Sequence, residues 1–345
     1  MQEVTFDVQT ITPLFLAGAD QATAELRAPS FRGEMRYWLR ALVGGLVGTG
    51  PEGLKKVRDV ETEVFGATDR GSAISIKVSA GSNEAKPFTE QVSVRVGGQW
   101  QATGKGYLLW SMVQSGRADR GNLKPARWYF PPGTGFHVTL AVHSSNEAAF
   151  KEGIAAFWLL THLGGIGSRS RRCAGSLQAT GETATLPFDI PQTAQALQDQ
   201  LTRGIQAARR LYEGTPTPSR EAAFDALSPA TCRIWILRNG ERPWANADAA
   251  MRDIGASLQD YRRDINPIQK RKIFGLPLMG VDNKSRRSSP LLLRITKLQG
   301  EQYVGVAVLF KTKVETRTEQ FSTADYALIE RWITQDFPKA LEVKL

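Results

Sequence analysis

The chain has 345 residues, more than one hydrophobic core usually organises, so two domains of roughly 150 residues each are expected. Its 41% hydrophobic and 23% charged content excludes fibrous, collagen-like and largely disordered classes, and the formal charge of +10 points to polyanionic partners. No stretch approaches the ~18–20 apolar residues of a membrane span, and Met1 to Asp20 lacks the features of a secretory signal, so a cytoplasmic protein is expected. Cys173 and Cys232 stand apart from each other and from any Cys/His cluster, so disulfide framing and zinc binding read poorly; no cofactor or metal is expected.

Val4 to Thr10 alternates apolar and polar residues as a strand does, and Ser30 reads as the cap of a helix running to about Val43. Ile74 to Val78 and Phe136 to Val142 alternate in the same way. Glu147 to Leu163 reads as a helix with Phe150, Ile154, Phe157, Trp158 and Thr161 on one face, stopped by Gly164-Gly165. A stretch rich in small residues and proline, Thr180 to Thr193, leads to a helical segment from Ala194 to Tyr212 and then to Gly214-Thr-Pro-Thr-Pro218. Cys232 to Leu237 starts a second series: a helix over Ala247 to Tyr261, strands over Leu291 to Thr296 and Tyr303 to Lys311, and a helix over Ala324 to Phe337. The expected division is 1–190, 191–229 as a helical bridge, and 230–345.

An internal echo supports duplication, since Val64-Phe-Gly66 followed by Ser72-Ala-Ile-Ser-Ile-Lys77 parallels Ile273-Phe-Gly275 followed by Ser289-Pro-Leu-Leu-Leu-Arg294. The expected class is α+β: two tandem ferredoxin-like, RRM-like units, each an antiparallel sheet with helices on one face and the other face open. RNA-binding proteins and enzymes share that plan, so the plan does not choose between them.

Charge is concentrated. Arg262 to Arg294 holds nine Lys or Arg against Asp264 and Asp282. Gly164-Gly-Ile-Gly-Ser-Arg-Ser-Arg-Arg-Cys-Ala-Gly175 follows a helix; its glycines let the backbone approach a ligand closely and point successive N–H groups at it, and Arg169, Arg171 and Arg172 suit a phosphodiester. It lacks the Gly-Lys-Ser/Thr ending of a nucleotide P-loop. On the first helix Phe31, Met35, Trp38, Leu39 and Leu42 form the apolar stripe, while Arg32, Arg36 and Arg40 share a neighbouring one. Three stacked guanidinium groups call for an anion opposite them or for carboxylates within the fold. Gly33 leaves room for a ligand strand.

Ile11-Thr-Pro-Leu-Phe-Leu-Ala-Gly-Ala-Asp20, Leu26-Arg-Ala-Pro-Ser-Phe-Arg-Gly-Glu-Met-Arg-Tyr-Trp-Leu-Arg-Ala-Leu42 and the glycine-rich loop before Ser176-Leu resemble the RAMP proteins of type III CRISPR systems. Within these the chain is most similar to the first subunit of the type III-B Cmr complex, which has two tandem ferredoxin-like domains. Phe65-Gly66, Phe274-Gly-Leu-Pro277 and Arg286-Arg-Ser-Ser-Pro-Leu-Leu-Leu-Arg294 fit the same subunit. The resemblance implies a non-catalytic RNA-binding subunit of an antiviral ribonucleoprotein that holds the 3′ part of the CRISPR RNA and supports target RNA capture beside other RAMP subunits. RNA contacts are then expected from Arg32, Gly33, Arg36 and Arg40, from Gly164, Gly165, Gly167, Ser168, Arg169, Ser170, Arg171, Arg172 and Gly175, and from Lys284, Arg286 and Arg287. Replacing Arg169 and Arg172 by Glu should weaken RNA binding at least about tenfold with the fold intact.

Some RAMP proteins cut RNA with a histidine base. His162, one turn before the loop, is the candidate for an alternative CRISPR-RNA processing endoribonuclease; its place at a helix end also suits a structural role. His137 and His143 have no partner acid in view. A general RNA-binding or assembly protein of another ribonucleoprotein is a third reading. Trp128, Tyr129 and Phe130, beside Arg127, read either as a stacking rim or as core.

Overall fold

The computed structural model describes residues 2–20, 23–79, 81, 84–114, 124–142, 146–212, 221–278, 281–315 and 320–345. His143 and the segment Gly214–Pro218 lie outside them.

The first half runs β1 (Gln2–Thr10), α1 (Ala28–Val47), α2 (Pro51–Phe65) and β2 (Ile74–Ser79). An excursion follows, with β3 (Lys86–Pro87), β4 (Ser93–Val96), β5 (Gln99–Ala102), α3 (Gly104–Leu109) and β6 (Trp128–Tyr129). It returns to β7 (Gly135–Val142), α4 (Glu147–Leu163) and β8 (Leu177–Thr180). The sheet order is β2-β7-β1-β8, all antiparallel, with Phe6 opposite Val138 and Val8 opposite both Phe136 and Ala179.

After α5 (Ala194–Arg210), the second half runs β9 (Cys232–Leu237), α6 (Ala247–Asp264), β10 (Leu276–Leu278), β11 (Asp282–Arg287), β12 (Leu291–Leu298) and β13 (Gln302–Phe310). It ends with β14 (Val314–Glu315), β15 (Gln320–Phe321), α7 (Ala327–Asp336) and β16 (Leu341–Val343). Its main sheet has the order β12-β13-β9-β16, again antiparallel. In each half the first strand lies between the third and the fourth, which is the ferredoxin-like order of a β-α-β-β-α-β unit. The duplication read from the sequence is therefore present in the topology.

Local chemistry explains the boundaries. α1 starts two residues earlier than Ser30, with Pro29 in its first turn and extended Arg27 before it, and no side chain caps it. Asn146 caps α4 by accepting from Ala149 N–H, and the helix stops at Gly164. α2 is absent from the sequence reading, although Gly50-Pro51-Glu52 is a start signal and Val57, Val64 and Phe65 form a buried stripe.

The packing corrects one expectation. One face of the second sheet, with Ile234, Ile236, Leu292, Val304, Val306, Val308 and Phe310, is continuous with the core that contains α1, α4 and α5. Its other face, with Trp235, Leu237, Leu291, Leu293, Ile295 and Leu309, packs with α6 and α7. The second sheet thus has no open face. Burying seven such apolar side chains is worth on the order of 10 kcal/mol gross, enough to bind the two halves into one body. The same layering explains why α4 is buried from Gly153 to Thr161 all round instead of on one stripe, since sheets lie on both sides of it. Leu197, Leu201, Ile205 and Ala208 of α5, at helical spacing, are buried in the shared core.

The first sheet keeps its open face. Thr5, Asp7, Lys77 and His137 are exposed there. His137 Nδ1 lies 2.7 Å from Asp7 Oδ1, so the partner acid missing from the sequence reading comes from the neighbouring strand.

Candidate nucleic-acid interface

The apolar stripe of α1 is as expected: Phe31, Met35, Trp38, Leu39 and Leu42 are all buried. Its arginine stripe divides. Arg36 donates to Phe65 O (2.7 Å) and Gly66 O (2.5 Å), the open carbonyls at the end of α2, and lies 3.7 Å from Glu61. Arg40 Nε is 3.6 Å from the other Glu61 oxygen. The carboxylate partner foreseen as an alternative is therefore supplied by α2 for these two. Arg32 has no hydrogen-bond or ion-pair partner among the described residues, and it lines a cavity of about 440 Å³ with Ala28, Pro29, Gly33 and Arg36. Gly33 is exposed, and a Cβ there would meet nothing within 4 Å.

The glycine-rich loop differs from its expected role. Its backbone was expected to turn successive N–H groups toward a ligand, but Gly164, Ile166, Ser168, Ser170, Arg172, Cys173 and Gly175 all donate to backbone carbonyls. The cause is burial, since the loop threads between the halves and must satisfy its own amides. The glycines serve that packing: Gly167 has φ +86°, and a side chain on it would run into the Phe15 carbonyl.

The side chains carry the charge. Arg169, Arg171, Arg172, Arg262 and Arg287 line one cavity of about 520 Å³, together with Tyr107, Trp110, Phe274 and Ser289. Arg169 Nε donates to Leu108 O at 2.6 Å, and Arg172 Nη2 donates to Phe274 O at 3.2 Å. Arg287 Nη2 donates to Tyr326 Oη at 2.6 Å, and Arg262 donates to Tyr107 Oη. Arg171 bonds Ser289 O at 2.6 Å and pairs with Asp225 at 3.0 Å, over the face of Tyr37. It alone of the five has a carboxylate partner among the described residues. Burial, with Arg262 adding repulsion, pushes Arg172 down to about 10. Burial likewise lowers Arg169.

Two further depressions join this cavity to α1. One, of about 170 Å³, is lined by Gly33, Glu34, Tyr37, Gly165, Ser170 and Arg171, and so shares Ser170 and Arg171 with the arginine cavity. The other, of about 400 Å³, shares Gly33 and Glu34 with it and adds Arg127, Gly167 and Ser168. Helix and loop therefore converge on one groove. Glu34 is the acid along it, with its pKa raised by burial against the pull of Arg171.

Of the remaining expected positions, Lys284 and Arg286 are exposed on the β10–β11 hairpin and do not line the arginine cavity; Arg287, on the same strand, does. Gly175 is buried in the loop. Tyr129 and Phe130 are core, whereas Trp128 is 42% exposed. The sequence reading left out Arg262, Tyr107 and Trp110. The basic window already contained Arg262, but nothing in the sequence signalled that α3 packs on α6 and brings Tyr107 and Trp110 to the groove.

His162 lies outside the groove. Its ring stacks on Trp158, with centroids 4.4 Å apart, and Nδ1 lies 2.9 Å from Trp158 O. Burial, and then the nearby Arg294, push its pKa down to about 3. The recess it borders holds about 20 Å³, too small for a ribose. Among the described residues no group of three or more His, Cys, Asp or Glu could hold a metal ion, and no helix is long and apolar enough to cross a membrane.

Fold and groove together define an α+β protein of two like antiparallel units, with a cationic channel at their junction suited to a polyanion. Residues 7–178 match the family model of the RAMP superfamily. The CRISPR system Cmr subunit Cmr1-2 of Pyrococcus furiosus is 34% identical over 190 residues, covering 52% of this chain and 95% of that protein. Subunit Cmr1-1 of the same organism is 25% identical over 337 residues, 95% of this chain and 93% of its own length. The crystal structure of Cmr1 from that organism, in its apo form, superposes with a TM-score of 0.65 at 24% identity, covering 99% of each chain. A chain of the Type III-B Cmr-beta complex bound to cognate target RNA superposes with a TM-score of 0.59 at 10% identity, covering 96% of this chain and 100% of that one. The chain belongs to the RAMP superfamily, among the Cmr subunits of CRISPR systems.

Proposed function

We propose that this chain is a non-catalytic, cytoplasmic RNA-binding subunit of a Cmr ribonucleoprotein effector. It holds the 3′ part of a CRISPR RNA and supports target RNA capture beside other RAMP subunits in antiviral defence. The observation that carries the reading is the convergence of the Gly33 face of α1 and the arginine cavity on one groove. The RNA in the complex of the similar Cmr-beta chain supports it. Guide spacers vary, so contacts go to phosphates and 2′-hydroxyls, which every sequence shares. The endoribonuclease reading finds no support at His162, a stacked ring in a recess too narrow for substrate.

Two unrelated single-stranded RNAs, titrated with the full chain over a salt series, test the proposal. The expected result is equal affinity for both, falling on a log-log slope of roughly −0.7 per phosphate contacted. Strong preference for one sequence, or affinity indifferent to salt, contradicts it.

Gly33 supplies a second test. An open glycine inside a helix costs roughly 0.5–1 kcal/mol relative to alanine, and here no packing requires it. Gly33→Ala is expected to raise the denaturation midpoint and weaken RNA binding several-fold. A variant that is more stable and binds RNA unchanged shows that no strand lies on that face.

A further inference from the structure

The arginine cavity carries more positive charge than one point of a phosphodiester path requires. Of its five guanidinium groups, Arg169, Arg172, Arg262 and Arg287 have no carboxylate partner among the described residues. Their present partners are neutral carbonyl and hydroxyl oxygens, which leave the net charge in place. An internal phosphodiester brings one negative charge and two free oxygens. A terminal phosphomonoester brings about −1.5 to −2 at neutral pH and three strong acceptor oxygens.

Geometry points the same way. The walls come from five segments of both halves: α3 with the turn after it, the glycine-rich loop, the end of α6, the Phe274–Leu276 segment and the end of β11. Arg172 is 9% exposed, and its Nη1 is buried with no partner among the described residues, a donor held in the wall without an acceptor. Trp110, on the same wall, is 59% exposed, so its indole is open to a base entering the cavity. A terminal nucleotide has both groups such a site matches: a dianion for the arginines and a base to stack on the indole.

We propose that the arginine cavity is an end-recognition pocket that takes the terminal phosphomonoester of the RNA lying in the groove, with Trp110 stacking the last base. This rests on the groove being an RNA path. Arg262 and Arg287, from the second half, would then link recognition of the RNA end to the junction between the halves.

The test uses the full chain and one RNA of about 12 nucleotides in three forms: hydroxyls at both ends, a 3′-phosphate, and a 5′-phosphate. Fluorescence anisotropy at fixed salt is expected to show a gain of about tenfold or more for one phosphorylated form over the hydroxyl form, and the form that gains names the end held. In Arg262→Gln and in Arg287→Gln the ratio of phosphorylated to hydroxyl affinity is expected to fall to about one. The ratio is read within each variant, so a general loss of affinity does not mimic the effect. If all three RNAs bind the unmodified chain alike, the end-recognition proposal fails and the groove reading stands. If the ratio persists in both variants, the phosphate lies elsewhere. If none of the three binds, the groove reading itself fails.

Discussion

Replacing Arg32 and Arg169 by glutamate together is expected to lower affinity for single-stranded RNA on the order of 100-fold, with the fold retained. Each contact between a guanidinium and a phosphate contributes about 1.5 kcal/mol or more, so two lost contacts already give that factor, and the introduced negative charges add repulsion. The log-log salt slope should become shallower by about 1.4, because two fewer phosphates release counterions. Arg32 and Arg169 stand at opposite ends of the groove, so a single strand must follow its whole length to feel both. Arg32 has no partner among the described residues, and Arg169 bonds only the carbonyls of Tyr107 and Leu108, so neither change orphans a carboxylate. The pair Arg169→Glu and Arg172→Glu, which the sequence suggested, is a poorer test. Arg172 is buried against Phe274 O, and a carboxylate in its place would damage the fold and lower binding for that reason. Arg40→Glu serves as the comparison: its guanidinium already faces Glu61, so its effect on affinity is expected to stay within about threefold. An Arg40 effect as large as that of the pair would mean that overall charge, and not the groove, governs binding.

The division between what was legible and what was not follows interaction range. Strand β7 and helix α4 were readable because alternation and a glycine stop are local signals. The two arginine elements were readable as chemistry for the same reason. Their partners were not, because partners come from distant segments: Glu61 lies on α2, a separate helix, and Asp225 lies 54 residues from Arg171. The role of the loop glycines was misjudged because glycine tolerates close approach by any backbone, and here the approaching chain is Phe15 and not a ligand. The second sheet was expected to have an open face because alternation cannot tell a face covered by its own helices from one covered by another unit's helices. A nearly unbroken apolar run from Leu291 to Ile295, interrupted by Arg294, marks a strand buried on both faces.

That interrupting residue holds the halves together. Arg294 projects from β12 to the face shared with the first unit, is 2% exposed, and has its pKa lowered by burial to about 9. It donates to Thr161 O, in the last turn of α4, and to Leu177 O at 2.6 Å, at the start of β8. The first acceptor is an open carbonyl at the negative end of a helix dipole, the site where a cation is favoured. Arg294→Ala removes both bonds and leaves a void, and orphaned buried carbonyls at about 1–3 kcal/mol each together with the cavity predict a loss of about 3–5 kcal/mol. Arg294→Met fills most of the volume and also removes the cost of burying a charge, so it should recover at least half of that loss. Urea denaturation followed by tryptophan fluorescence and by circular dichroism reads both variants. The two signals should coincide in the unmodified chain, because the halves share one core, and should separate in Arg294→Ala as the junction loosens before either sheet melts. A loss below about 1 kcal/mol in Arg294→Ala, with coincident signals, would show that the apolar faces alone join the units and that the arginine is only tolerated between them.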